Sequence, residues 1–267
     1  MKLKDYLKKA KREKWAIGQF NFSTLIQLRG ILDAAKKLKT PVILGTSQGE
    51  LNSLGLEEVV ALVEISKKKW GVEAFLNLDH GNDLELIKKC VDYGFSAVHF
   101  DGSSLPLEKN IEYAKIIVQY AHKKGVLVEG ELDAIGGKES TSLAEAKRFV
   151  EETSVDSLAV AIGNVHGIKK VNLDLVRLKD FSKVSAFIVL HGGSGISSRQ
   201  IKEAIKLGIV KININTELRI AWKKGLLKAL KSKEIKPYKI MPFVQKSVQK
   251  KVEEKLNLFN RVKNEPR

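Results

Sequence analysis

The chain has one cysteine, five prolines and little aromatic content, 7%, and it lacks any apolar run long enough to cross a bilayer. Each shortage removes a class of protein. A lone Cys90, set in the helical pattern DLELIKKCVDYG, cannot form an internal disulfide, so the chain is not a disulfide-stapled scaffold. Cys90 reads as a buried helix residue of a protein in a reducing compartment, without a redox role. A membrane span needs about 18 consecutive apolar residues, which excludes a transmembrane protein. The opening MKLKDYLKKAKREKW is charged and periodic, without the unbroken apolar core of a secretion signal. It predicts a surface helix with Leu3 and Leu7 turned inward, and a cytoplasmic location. Few prolines beside 43% hydrophobic residues fit a globular chain and not a disordered one.

Charge of one sign is abundant: the formal net charge is +16. Such a surplus attracts anions, nucleic acid and phosphorylated metabolites included. The lysines, however, recur helix by helix, in KKLK, SKKKW, HKKG and from Trp222 to Lys255, with little arginine and no interleaved aromatics. That pattern belongs to solvated outer faces of helices and does not point to nucleic acid.

Eight short apolar runs bounded by turn residues punctuate the chain: Ala16–Phe20, Val42–Thr46, Ala74–Leu78, Ala97–Phe100, Val126–Gly130, Ser157–Gly163, Ala186–Gly193 and Val210–Asn215. Stretches of helical period such as LIQLRGILDAAKKL and LEKNIEYAKIIVQYAHKK separate them. Eight strand–helix units predict an α/β fold, a (β/α)8 barrel, with a doubly wound open sheet as the competing arrangement. Additional terminal helices are expected before Trp15 and after Pro242. The whole of 1–267 reads as one barrel domain with a carboxyl-terminal helical extension from about 237 to 267.

A barrel carries its chemistry at the carboxyl ends of its strands. Polar residues stand there in almost every unit: Asn21, Ser47, Asp79 with His80, Asp101, Glu129 with Glu131, His166, His191 and Asn213. The segments LNLDHG, AIGNVHG and IVLHGGSG bring His80, His166 and His191 to three strand ends, a pattern that gathers three imidazoles on one Zn²⁺ with a fourth position open. Asp79 and His80 would point to opposite sides of a regular strand; both face the metal only if the strand has ended there. Glu131 and Glu139 flank the loop ELDAIGGKE, suited to proton transfer from a mobile segment. His99, inside a strand run, and His122, on a charged helix, read as ordinary hydrogen-bonded histidines. The turn LHGGSGISS, with Gly192, Gly193 and Ser194, offers backbone N–H groups to a phosphate, and KININTE adds Asn213, Asn215 and Thr216. Asn21 and Ser47 are further substrate contacts.

The segments FNFSTL, TSQGE, LDHG, VHFDGSS, VEGELDAIGG, AIGNVHG, LHGGSG and KININTE, from about Phe20 to Trp222, together resemble the class II, zinc-dependent fructose-bisphosphate aldolase family, in the branch shared with tagatose-bisphosphate aldolases. The resemblance implies a TIM barrel, a homodimer or homotetramer, and reversible cleavage of a phosphorylated sugar, a ketose 1,6-bisphosphate, into dihydroxyacetone phosphate and an aldehyde. It implies that His80, His166 and His191 bind zinc, with Glu131 near the metal and Asp101 at a further acidic position. It implies that Asp79 handles the proton on the aldehyde-derived oxygen, Glu139 moves the carbon-bound proton, and Asn213 holds the enediolate. Gly167, Gly192, Ser194, Asn215 and Thr216 match the phosphate pocket, and Val165, Gly167, Gly192 and Ser194 the surroundings of a monovalent cation, Na⁺ or K⁺. Asp133 stands where the family usually has glycine, and Tyr238 with Lys239 where it usually has a phosphate-binding arginine; Asn215 favours fructose over tagatose. The alternatives are a barrel metal hydrolase, a lysine-based aldolase using Lys211, and a non-catalytic anion- or nucleic-acid-binding protein.

Overall fold

The computed structural model describes residues 1–138 and 141–260. Eight parallel strands close into a barrel in sequence order: β1 (Ile17–Asn21), β2 (Val42–Ser47), β3 (Ala74–Gly81), β4 (Ala97–Asp101), β5 (Leu127–Glu131), β6 (Ser157–Ala159), β7 (Phe187–Leu190) and β8 (Ile209–Ile214). Around them run α2 (Leu25–Leu38), α3 (Gln48–Leu54), α4 (Leu56–Trp70), α5 (Leu84–Asp92), α6 (Leu107–His122), α7 (Leu143–Thr153), α8 (Leu175–Phe181), α9 (Ser198–Lys206) and α10 (Thr216–Ala229), between the terminal helices α1 (Leu3–Glu13) and α11 (Pro237–Asn260). The closed barrel, and not the open sheet, is the architecture present.

Two cores divide the apolar residues. The larger fills the space between strands and helices. The smaller lies at the amino-terminal end of the barrel, where Leu3, Leu7 and Ala10 of α1 pack on Ile17, Ile43, Phe75, Ala97 and Leu127. This is the inward face that the amino-terminal periodicity predicts for α1. Inward positions then change character upward along the strands. Ile17, Gln19 and Asn21, and likewise Phe75, Asn77 and Asp79, Ala97, His99 and Asp101, and Leu127, Glu129 and Glu131, pass from apolar to polar at the strand period of two. The barrel is thus stoppered with hydrocarbon at one end and lined with ionisable groups at the other.

Several boundaries differ from the sequence expectation. β6 ends at Ala159, short of Gly163, and β7 at Leu190, short of Gly193. Asn164 explains both. Its Oδ1 accepts from Ile162 N at 2.8 Å and its Nδ2 donates to His191 O at 3.0 Å, so a buried side chain replaces strand pairing there. α11 begins at Pro237, where the helical extension is expected, and runs through Pro242, so the terminal helix starts before that proline and not after it. α3 is an additional short helix, opened by a capping box between Ser47 and Glu50. Cys90 is buried in α5, and its burial pushes the thiol up to about 12, which agrees with an inert core residue.

Candidate active site

The backbone resolves how Asp79 and His80 face one mouth. β3 continues to Gly81, but its register with β4 shifts between Leu78 and Gly81, and His80 adopts φ of 53°. A left-handed, non-glycine residue at a bulge breaks the two-residue alternation and turns both side chains to the same side. Strain of this kind is retained where surrounding contacts enforce it. His80 N donates to His99 Nδ1 at 3.1 Å, and His80 Nδ1 meets Asp101 Oδ2 at 2.7 Å.

The rings of His80, His99 and His191 pack edge to face with every pair of centroids 4.8 Å apart, and His166 stands beside His80 at 5.1 Å. Among the described residues, two sets of donor atoms lie within 4.8 Å of one another: Asp79, His80, His99 and His191, and His80, Asp101 and Glu131. His166 belongs to neither set and sits more exposed at the mouth. His99, set aside by the sequence reading, is fully buried inside the cluster. Its Nδ1 accepts the His80 amide, so its proton lies on Nε2, 3.4 Å from Glu131 Oε2; burial holds it neutral, with a pKa lowered to about 3. His122 lies at the other end of the barrel, where its Nε2 meets Asp156 Oδ2 at 2.8 Å.

A carboxylate holds one nitrogen of each of two imidazoles. Asp101 takes the Nδ1 proton of His80, and Glu129 Oε1, 2.7 Å from His191 Nε2, takes the proton there. The other two nitrogens, His80 Nε2 and His191 Nδ1, face each other at 3.0 Å. A contact this short requires positive charge, either a proton shared by the two nitrogens or a cation beside them. The same deficit shows at Glu131, whose buried Oε2 has no hydrogen-bond partner though it lies 3.9 Å from His80 Nδ1 and 4.0 Å from His191 Nδ1. Burial and the neighbouring Asp101 raise its pKa well above the usual carboxylate range. Burial opposes charge on His80, yet Asp101, Asp79 and Glu131 raise its pKa to about 9. Nitrogen and carboxylate donors that together demand positive charge fit a divalent metal ion, each imidazole oriented by a carboxylate.

Asp79 is 6% exposed and clamped by two amides: Asn21 Nδ2 donates to Oδ2 at 2.9 Å and Asn213 Nδ2 to Oδ1 at 3.0 Å. Burial resists its ionisation, but His80, His191, Lys211 and His99 outweigh that and lower its pKa to about 2. It is therefore a carboxylate at neutral pH, able to accept a proton from a substrate hydroxyl. Beneath the cluster, Lys211 Nζ binds Glu129 Oε2 at 2.7 Å, and both are almost fully buried. Lys211 is thus committed as a counter-ion and is not presented to a carbonyl as a Schiff-base amine.

The loops after β6, β7 and β8 meet beside the histidines. Gly192 has φ of 61°, and a Cβ there would lie 2.3 Å from Val165 O, so only glycine allows the contact. Ser194 Oγ accepts from Glu217 N at 3.3 Å, at the start of α10 beside Thr216. Gly193 N is spent on Asn213 O at 3.1 Å and is not free for a phosphate. Ser47 caps α3, and Asn215 Nδ2 reaches Glu50 Oε1 at 3.3 Å. The Val165–Gly192 contact sets the turn after β6 against the turn after β7. Glu139 lies outside the described residues. Asp133 binds Arg177 Nη2 at 3.0 Å and accepts from Thr141 N, tying the far end of its loop to α8. Tyr238 is exposed, and Lys239 pairs with Glu234 at 3.4 Å.

Sequence reasoning missed Glu50 as a site residue. This buried carboxylate accepts from Asn21, Ser47 N, Asn215 and Arg219. The capping-box spacing from Ser47 to Glu50 was the available signal, but it announces a helix start and no more.

A (β/α)8 barrel with imidazoles and carboxylates converging above its strands, next to an ionised aspartate, defines a barrel enzyme whose site residues could hold a metal ion. Comparison with known proteins narrows this. The model of the family described as "Fructose-bisphosphate aldolase class-II" matches residues 1–264. The chain belongs to the class II fructose-bisphosphate aldolase family and is a lyase. It is 44% identical to a 6-phospho-5-dehydro-2-deoxy-D-gluconate aldolase of Shouchella clausii over 80% of this chain and 78% of that one. It is 38% identical to a fructose-bisphosphate aldolase of Geobacillus stearothermophilus over 85% of each, and 37% identical to a sulfofructosephosphate aldolase of Alkalicoccus urumqiensis over 85% of this chain and 84% of that one. The solved YdjI aldolase of Escherichia coli superposes with a TM-score of 0.87 at 33% identity, covering 97% of this chain and 96% of that one.

Proposed function

We propose that the protein reversibly cleaves fructose 1,6-bisphosphate into dihydroxyacetone phosphate and glyceraldehyde 3-phosphate, with Zn²⁺ held by His80, His166 and His191 and with Glu131 and Asp101 beside it. The observation that carries this is the approach of His80 Nε2 and His191 Nδ1 to 3.0 Å, beside Asp101, Glu131 and the ionised Asp79. A bound divalent ion supplies Lewis-acid polarisation of a substrate carbonyl.

The chain's own residues supply the rest. Asp79 takes the proton of the hydroxyl on the aldehyde-side carbon as the carbon–carbon bond breaks, and returns it in the condensation direction. Asn21 and Asn213 hold that carboxylate by both oxygens, so its reacting edge is fixed before substrate arrives. The turn at Gly192 and Ser194, with Asn215 and Thr216, receives the phosphate next to the carbonyl. Glu139 serves as the acid that protonates the carbanion carbon. Na⁺ or K⁺ would bind between the two turns that carry Val165 with Gly167 and Gly192 with Ser194. A homodimer or homotetramer is part of the same proposal.

A second reading is favoured by the 44% identity to the Shouchella clausii enzyme, against 38% for the fructose-bisphosphate aldolase: cleavage of 6-phospho-5-dehydro-2-deoxy-D-gluconate. By their names the relatives' substrates differ at the end remote from one phosphate, which carries a carboxylate, a sulfonate or a second phosphate. A coupled cleavage assay on fructose and tagatose 1,6-bisphosphates and on the gluconate-derived substrate, before and after chelation, tests the proposal, with His191→Ala as control. Cleavage of none of them by metal-loaded protein sinks the aldol assignment for these substrates; preference for the gluconate-derived one moves it to the second reading.

A further inference from the structure

We infer that Arg219, positioned by Glu50, recognises the anionic group at the substrate end remote from the cleaved bond, an assignment that rests on the aldolase activity proposed above. Glu50 is 5% exposed, and its Oε2 is pinned by Ser47 N at 2.8 Å and by Asn21 Nδ2 at 3.0 Å. A buried carboxylate needs compensation, and an unpaired one would repel an anionic substrate. Oε1 receives it from Arg219 Nη2 at 2.9 Å, with Asn215 Nδ2 at 3.3 Å.

The placement of Arg219 is that of a ligand-facing cation, not of a core counter-ion. Its side chain is 56% exposed while Glu50 is buried, so one nitrogen is anchored and much of the guanidinium remains open to solvent. A guanidinium offers five N–H donors in a planar fork, and a carboxylate, sulfonate or phosphate each presents paired oxygens that suit it. The position is also tied to the reacting side of the substrate. Asn21 Nδ2 donates both to Glu50 and to Asp79, so a single amide joins the arginine's anchor to the carboxylate that handles the aldehyde-side proton. Lys239 and Tyr238, by contrast, stand on α11 with Lys239 turned to Glu234 and Tyr238 69% exposed.

The test uses the full-length, metal-loaded protein and two variants, Arg219→Gln and Arg219→Lys. Steady-state kinetics are compared on fructose 1,6-bisphosphate, the gluconate-derived substrate and fructose 1-phosphate, which lacks the remote anion. Arg219→Gln is expected to lower the ratio of kcat/KM for remote-anion substrates to that for fructose 1-phosphate by about 10- to 100-fold, chiefly through KM, the loss of one charge-assisted contact. Arg219→Lys should recover part of the ratio. Calorimetric binding of hexitol 1,6-bisphosphate and hexitol 1-phosphate, which cannot be cleaved, reads the same preference without turnover. Equal weakening of both ligands by Arg219→Gln, or no change in the ratio, overturns the assignment. Failure of the wild type to cleave any substrate overturns the proposed activity instead, while the calorimetric ratio still decides Arg219.

Discussion

His80 Nε2 and His191 Nδ1 face each other at 3.0 Å, each with its opposite nitrogen committed to a carboxylate, Asp101 for His80 and Glu129 for His191. The two rings come from strands 111 residues apart in sequence, and neither can turn away without abandoning its carboxylate. Positive charge at this point joins the two halves of the barrel mouth.

Metal should therefore stabilise the fold as well as enable turnover. Binding to the native state alone adds about 4 kcal/mol when free metal is near 1,000 times its dissociation constant. Chelation is expected to lower the melting temperature and abolish cleavage, and added Zn²⁺ to restore both. His191→Ala should lose activity with little melting response to metal. Scanning calorimetry with and without chelator checks this; an unchanged melting temperature in the wild type would count against a metal at this site.

Glu129 bridges Lys211 and His191. Glu129→Gln leaves a buried ammonium without its counter-charge and should cost about 3–5 kcal/mol in urea unfolding, because removing one partner of a buried pair exposes the full desolvation penalty of the other. Glu129→Gln combined with Lys211→Met should recover much of that stability. Metal affinity should nevertheless stay about 10- to 100-fold weaker in both, since the carboxylate that orients His191 is gone. Equilibrium dialysis separates the two effects.

At the amino-terminal end of the barrel, Asp156 accepts from Lys4 Nζ at 2.8 Å, Val128 N at 3.0 Å and His122 Nε2 at 2.8 Å. Burial works against its charge, but these three partners prevail and lower its pKa. A depressed carboxylate gives stability that is full above the unfolded value, about 3.9, and is lost as pH falls through the folded one. Asp156→Asn is expected to be less stable by about 1–3 kcal/mol at neutral pH, with the gap to wild type closing on acidification below about pH 4. Thermal melts of both proteins from pH 7 downward test this. A gap independent of pH would remove Asp156 from the acid response.

Gly192→Ala would set a methyl group 2.3 Å from Val165 O at a positive φ. The turn must move, and with it the neighbouring His166. Stability should fall by about 1–3 kcal/mol for the forced conformation, and metal affinity should fall alongside. Retained affinity in a stable variant would show that the Val165–Gly192 contact does not position the metal site.

Much of this was legible in the chain because barrel strands and their polar ends obey short-range rules. The eight apolar runs, the inward Leu3 and Leu7, and the strand-end positions of Asp79, His80, His191 and Asn213 follow from period and punctuation. Pairings across the barrel do not. Lys211 meets Glu129 82 residues away and Arg219 meets Glu50 169 residues away, so no local pattern announces either. His99 looked ordinary because it lies inside a strand, yet the strand period of two points it at the same interior as Asp101. The end of β6 was overextended because apolar residues continue past it, from Val160 to Ile162, and that of β7 because the glycine turn after His191 is continuous with its apolar run, while Asn164 supplies hydrogen bonds at both ends.

The hydrophobic stopper formed by Leu3, Leu7 and Ala10 of α1 leaves reactants no back door. Whatever enters must depart by the same opening, so the histidine and carboxylate cluster above β3, β4 and β5 is open to reactants from one side of the barrel alone.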